Sequence, residues 1–398
     1  MENKHQIIIV GGGNAGLSVA ARLIKANSKL DVAIIEPSEK HYYQPAFTLV
    51  GGGVYDKNKT ERPQASLMPK GATWIKAAVT SFDADNNSLT ASDGTTYSYD
   101  YLVAAPGIQL NWGAVEGLKE TIGKNNVCSN YSFENAPYTW ETVKNFKGGT
   151  AIFTSPVTPV KCGGAPQKAM YMSADYFKRQ GLLPLSDIQF CNAGKVIFGI
   201  EKYRIALQKV CDNYGVVQNH HHDLIKIDGP NKKATFKVTD PEGNVTEVEK
   251  EFDMIHVTPP QGPPDFIKSS PLADKKGWID VDKHTMQHKK YSNVFGLGDA
   301  TNSPNAKIGA AVRKQAPVVV SNLLALLNEE IMTDEYNGYG SCPLVTGRGK
   351  LILAEFDYSG QPTETFPFNQ AKERYSMYLL KTKVLPWLYW NKILSGKA

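Results

Sequence analysis

At 398 residues, 41% of them hydrophobic and 21% charged, the chain has the composition of a globular protein of two or three domains, which excludes a disordered or low-complexity one. Its net charge of +5 resides in the tail: Lys372, Arg374, Lys381, Lys383, Lys392 and Lys397 follow position 371 with one anion, Glu373, so the body is neutral and a broad nucleic-acid-binding face is excluded. No apolar run reaches the roughly 18 residues of a membrane span, and the N-terminus lacks a signal peptide's apolar core, so we expect a chain that is neither exported by that route nor bilayer-spanning.

Residues 6–10 (QIIIV) form an apolar run suited to a strand buried on both faces. It enters Gly11-Gly12-Gly13-Asn14-Ala15-Gly16, which fits G-x-G-x-x-G, and residues 17–26 then read as a helix. A second buried strand over residues 30–35 ends at Glu36, 20 residues beyond Gly16. This is a dinucleotide fingerprint with a mechanical reason for each part. Glycines allow the tight turn and close approach of pyrophosphate, the helix N-terminus attracts the anion, and Glu36 accepts from ribose hydroxyls.

Two later segments complete the pattern. Residues 101–107 (YLVAAPG) read as a strand ending in the turn Ala105-Pro106-Gly107, and residues 291–300 (YSNVFGLGDA) as a strand ending in Gly298-Asp299. Together with the first motif they resemble the signatures of the flavoprotein disulfide reductase superfamily, whose aspartate contacts the ribityl chain and pyrophosphate. That resemblance implies FAD, bound noncovalently, at Gly11, Gly13, Asn14, Ala15, Gly16, Glu36, Ala105, Pro106, Gly107, Gly298 and Asp299. Lys314 is a further candidate, for negative charge on the flavin. The expected fold is α/β, with two Rossmann-like domains and a C-terminal membrane-associating region. The FAD domain is discontinuous, residues 1–114 and 275–330; residues 115–274 form the second domain, and residues 331–398 the redox-cysteine and anchoring region.

The second domain lacks a glycine fingerprint of its own. After the strand at residues 150–154 come Pro156 and Pro159 where a nicotinamide site would need a tight turn, so electrons should reach the flavin from another donor. Cys162 is the candidate. It lies just upstream of a helix that Pro166 opens, beside Lys161, and both the helix end and the cation favour thiolate. Cys342 is read in a loop before a strand at residues 350–356, 180 residues further on. Cys191 and Cys211 fall inside a strand and a helix and read as inert core thiols. No metal ligand set is read: His220-His221-His222 is taken as a solvated loop between a helix and a strand.

Four stretches carry a more specific resemblance: Lys161-Cys162-Gly163-Gly164-Ala165-Pro166-Gln167-Lys168, His256-Val257-Thr258-Pro259-Pro260, Ser341-Cys342-Pro343-Leu344-Val345-Thr346-Gly347 and Leu353-Ala354-Glu355-Phe356-Asp357-Tyr358. They resemble the sulfide:quinone oxidoreductases, closest to the branch with the mitochondrial enzymes. The resemblance implies a redox pair, Cys162 and Cys342, joined by a disulfide or polysulfur link. Hydrosulfide attacks at Cys342, Cys162 leaves as thiolate and adds to FAD, and a quinone reoxidises the flavin. The persulfide sulfur passes to glutathione, sulfite, cyanide or sulfide. Other branches carry a third cysteine near the position of Cys128, for which no such role is expected here.

The tail mixes Tyr375, Leu379, Val384, Trp387 and Trp390 with its lysines, and Pro386 should split it into two short helices. This composition suits an interfacial anchor on an anionic membrane, with Tyr378 a candidate for the quinone wall. The expected setting is peripheral, on the cytoplasmic face of a bacterial inner membrane, or on the mitochondrial inner membrane for a processed chain; a homo-oligomer is compatible. The competing readings are a type II NADH:quinone oxidoreductase, which shares fold, FAD and tail, and a non-catalytic membrane-attached flavoprotein sensor.

Overall fold

The computed structural model describes residues 3–398. Its larger sheet is built around the strand Lys4–Val10, flanked in parallel by Val32–Ile35 and Thr96–Ala104. Ile7, Ile8 and Ile9 have no exposed surface, as a strand covered on both faces requires. Ala72–Ile75 extends one edge, and Val294–Gly296 pairs in parallel with the end of Thr96–Ala104, so a strand almost 200 residues distant completes the sheet. The helices Asn14–Ala26 and Gly309–Leu327 pack together over it.

The cofactor-turn loops leave the carboxyl edge of this sheet, where the strand order switches direction. Gly11 N–H donates to Ile35 C=O at 2.9 Å, Ala105 N–H to Val10 C=O at 2.9 Å, and Leu297 N–H to Ala104 C=O at 3.2 Å. Gly11 has φ +102°, and a Cβ there would lie 2.4 Å from Ala105 C=O. Gly16 is more constrained still, because a Cβ would sit 1.8 Å from the Gly11 carbonyl.

A second, fully parallel sheet has the order Val127–Cys128, Met254–His256, Gly149–Ser155, Ser186–Asn192, Val217–His220. The helices Ala165–Arg179 and Glu201–Tyr214 cover it, and the antiparallel strands His222–Asp228, Lys233–Thr239 and Val245–Glu251 are inserted between its strands Val217–His220 and Met254–His256. We propose the division at 114/115 and 274/275 on this sorting of strands between two sheets.

Three expectations need correction. Cys342 is not in a loop: Gly340–Gly347 is a strand, paired with Lys350–Phe356 so that Cys342 faces Ala354. Pro343 is tolerated because a two-stranded ribbon leaves alternate N–H groups unpaired. Pro386 does not divide the tail. Tyr375–Leu379, Leu380–Val384, Leu385–Leu388 and Tyr389–Ile393 run as one helical segment, with Leu385 N–H bonding five residues back to Leu380 C=O. This wider π-type turn relieves the clash of the proline ring with the preceding turn. The three histidines form a strand–turn–strand, with His221 at φ +58° between Val217–His220 and His222–Asp228.

Substituting Gly16→Ala should disrupt the first turn and lower stability by about 2 kcal/mol or more, the usual cost of overpacking against rigid backbone. Chemical denaturation would measure it; an unchanged midpoint would show that the turn yields.

Candidate active site

The Cys162 loop leaves the carboxyl end of Gly149–Ser155 and is pinned from both sides. Cys162 N–H donates to Lys307 C=O at 2.7 Å, tying it to the loop after Asp299, and its own carbonyl accepts from Ala165 N–H at 2.7 Å, starting the helix. Its φ of +59° is left-handed, a conformation disfavoured for a residue with a Cβ. The hairpin brings Cys342 over this loop, and Gly164 admits it: a Cβ there would meet Cys342 Sγ at 2.7 Å and Leu344 at 2.5 Å. The two Sγ atoms are 3.7 Å apart. That is contact distance, wider than an S–S bond of about 2.05 Å and closed by a small side-chain movement or one inserted sulfur.

The electrostatics divide the pair. The hydrogen bond from the Cys342 thiol, and then Lys168, hold Cys162 well below the ordinary thiol range against the cost of burial. Cys342 is driven well above it, first by that same hydrogen bond and then by burial. The pair thus shares one proton, with the thiolate on Cys162. Lys168 Nζ donates to Cys162 Sγ at 3.0 Å and is 3% exposed. Burial pulls Lys168 down, but the sulfur charges outweigh it and keep it protonated. The activating side chain is therefore Lys168, one helical turn inside the helix. Lys161, the expected one, points elsewhere and donates to Gln44 Oε1 at 2.7 Å. Sequence reasoning also missed Lys381, which comes from the tail. It is 3% exposed, donates to Pro45 C=O at 2.9 Å, and is lowered to about 7, chiefly by burial and then by Lys168. Its periodicity within the tail, beside the buried Met377 and Tyr378, was the available signal.

The remaining cysteines stay apart from this centre. Burial raises Cys128, Cys191 and Cys211 each to about 12.

The glycine cradle fits a dinucleotide. A Cβ on Gly13, the residue before the helix Asn14–Ala26, or on Gly107 would meet nothing within 4 Å, which leaves room for a ligand's close approach. Asn14 Oδ1 is buried there without a partner among the described residues. Glu36 accepts from Gly12 N–H and Ser38 N–H, each at 2.7 Å, which aims its carboxylate along the turn. Ala15 packs close to Gly298, whose φ is +78°. Burial raises Asp299, opposed by Lys307 and Lys161, both lowered to about 8 by burial. Lys314 is exposed, with its ammonium over the Tyr339 ring at 5.7 Å.

Two cavities stand out, one of them at the sulfur pair. One of about 290 Å³ is lined by Gly164, Gln167, Asn192, Phe198 and Cys342 itself. The other, about 810 Å³, is lined by Val50, Trp140, Tyr375, Tyr378, Leu379 and Thr382, with Arg348 and Lys383 at its polar side. Lys381 precedes Thr382 of this cavity in the chain and is close enough to Cys162 and Cys342 for their charge to act on it.

A paired thiol and thiolate beside a Rossmann-type dinucleotide cradle defines an FAD-dependent oxidoreductase of the disulfide reductase type. Residues 5–138 match the pyridine nucleotide-disulphide oxidoreductase family. The chain is 44% identical to the mitochondrial sulfide:quinone oxidoreductase of Mus musculus, across 99% of this chain and 87% of that protein. It is 46% identical to the mitochondrial sulfide:quinone oxidoreductase of Dictyostelium discoideum, across 100% and 87%. The solved sulfide:quinone oxidoreductase of Aquifex aeolicus shares its fold, with a TM-score of 0.81 at 21% identity over 98% of this chain and 92% of that one. The chain belongs to the sulfide:quinone oxidoreductase family, and its cofactor is FAD.

Lys168→Met should raise the Cys162 pKa toward the ordinary thiol range. In the reduced protein, iodoacetamide labelling of Cys162 should persist to low pH in the native chain. In the variant it should fall away as pH drops below about 8.5. Superimposable labelling profiles would remove Lys168 from the role.

Proposed function

We propose that the chain oxidises hydrogen sulfide at Cys342 and Cys162 and delivers the electron pair through FAD to a quinone. The sulfane sulfur leaves on an acceptor such as glutathione, sulfite, cyanide or a second sulfide. The observation that carries this reading is the 3.7 Å sulfur pair with a buried ammonium 3.0 Å from one member only.

In the oxidised state the two sulfurs are bridged directly or through added sulfur. Hydrosulfide forms a bond to the Cys342 sulfur and the bridge breaks. Cys162 departs as a thiolate that Lys168 neutralises, the property of a good leaving group in exchange. The 290 Å³ cavity supports attack at this end, since its lining includes Cys342 and not Cys162. When bound, FAD would supply the two-electron chemistry that links the sulfur pair to quinone, held by the Gly11–Gly16 turn, Glu36 and Asp299. With a thiol as acceptor, hydrogen sulfide, the thiol and quinone are consumed in equal amounts, and a persulfide and quinol are formed. The two hydrogens lost by the sulfur compounds appear on the quinol. The buried Lys168 ammonium draws the hydrosulfide anion in and stabilises thiolate as it forms. The Pro156–Pro159 stretch supports a donor other than nicotinamide.

The 810 Å³ cavity is the quinone site on this reading, with Tyr378 in its wall. It borders the tail, whose outer face exposes Tyr375, Leu379, Val384 and Trp387, the last at 54%, among Lys383, Lys392 and Lys397. An apolar row edged by lysines suits insertion at an anionic membrane surface from which a lipid-borne quinone enters. Among the described residues no helix is long and apolar enough to cross a membrane. The relatives are named as mitochondrial, and an inner membrane carrying quinone, mitochondrial or bacterial, is the setting we propose.

Cys162→Ser should keep the flavin absorbance while slowing its bleaching by sulfide by about 10³-fold or more; fast bleaching in that variant would refute the assignment. The double substitution Leu379→Ser, Trp387→Ser should weaken vesicle sedimentation by about tenfold, from the loss of inserted apolar surface. It spares Lys381 and the packed inner face, and undiminished sedimentation would reject the anchor.

A further inference from the structure

The peptide of Gly12, in the middle of the cofactor turn, is fixed at both ends. Its N–H donates to Glu36 Oε2 at 2.7 Å, and its carbonyl accepts from Gln64 Nε2 at 2.8 Å, with His41 Nδ1 at 3.2 Å. His41 is 4% exposed. Burial lowers it to about 4, so at neutral pH the ring carries one proton. The other ring nitrogen, Nε2, lies 2.6 Å from the Tyr389 hydroxyl. A tyrosine O–H donating to Nε2 leaves the ring proton on Nδ1, where Gly12 C=O and Gln64 Oε1 accept it. The tail hydroxyl thereby selects the tautomer that holds the glycine turn.

Tyr389 is anchored for this task. Its ring packs on Tyr43 at 4.6 Å, and Trp390 beside it lies under the Arg62 guanidinium at 4.4 Å. The same segment then runs along the first helix. Ser18 Oγ donates to Ile393 C=O at 3.2 Å, and a Cβ on Gly396 would lie 2.9 Å from Arg22. The end of the chain thus lies against the helix whose N-terminus faces the cradle.

We propose that Tyr389 and His41 are positioning residues for the cofactor turn, so that FAD retention depends on the docked tail as well as on the glycine motif. The inference rests on FAD as the cofactor and not on the sulfur chemistry, and its test uses neither sulfide nor quinone. By linkage the dependence is reciprocal: bound FAD also holds the tail down.

The test titrates full-length apoprotein with FAD, following flavin fluorescence, in the native chain and in Tyr389→Phe, His41→Leu, His41→Gln and the double variant Tyr389→Phe with His41→Leu. Tyr389→Phe removes one hydroxyl and should weaken FAD binding by about threefold to tenfold, the range of one buried hydrogen bond. His41→Leu should weaken it at least as much, and His41→Gln, whose amide can still donate to Gly12 C=O, should recover most of the loss. The double variant should bind FAD no more weakly than His41→Leu alone, because both changes break one relay. Native-like affinity in Tyr389→Phe would overturn the proposal, as would losses that simply add in the double variant. If His41→Leu fails to fold, Tyr389→Phe decides alone.

Discussion

A buried ammonium against a buried thiolate organises this molecule. Lys168 and Cys162 are each costly to desolvate alone, and each removes much of the other's cost at 3.0 Å. The Cys342 thiol donates into the same thiolate, so one negative charge is shared by two neighbours. Two sulfurs of ordinary acidity would have no preferred direction of exchange. On the proposed reading, Cys162 is the leaving group and Cys342 the end open to attack.

The fold creates that pair by bringing together loops from the carboxyl ends of parallel strands in two sheets. One edge supplies the glycine cradle, Asp299 and the Lys307 carbonyl; the other supplies the strained Cys162 loop and the Lys168 helix. The left-handed Cys162 is held by the two backbone hydrogen bonds that pin it, and the missing side chain of Gly164 lets the hairpin lower Cys342 into place. Strain at a nucleophile is tolerable only where the surroundings over-determine it, as these bonds do.

The FAD half was legible because its signal is local: Gly11, Gly13, Gly16 and Glu36 lie within one strand–turn–helix–strand unit, and Ala105-Pro106-Gly107 and Gly298-Asp299 each end a strand. The sulfur centre was legible by residue type and family resemblance but not by contact, since 180 residues separate the cysteines. Local adjacency then misled. Lys161 is next to Cys162 in the chain, yet Lys168 is next to it in space, because the helix beginning at Ala165 turns that side chain back toward its own N-terminus. Gly340 and Pro343 suggested a loop where an isolated ribbon accepts both. In the tail, composition suggested an anchor but hid a packed inner face, since Lys381 was counted with the other tail cations and is buried within electrostatic reach of Cys162 and Cys342.

That tail has two faces: it turns apolar residues outward and sets Tyr378 at the larger cavity, Lys381 within electrostatic reach of the thiolate and Tyr389 on His41 beside the glycine turn. The account nevertheless stands or falls on the sulfur pair. Non-reducing peptide mapping of the oxidised protein by mass spectrometry tests it most directly. A crosslinked peptide joining Cys162 to Cys342, with no added mass or with that of whole sulfur atoms, is the predicted result. Recovery of both cysteines as free, alkylatable thiols from oxidised, FAD-loaded protein would contradict it.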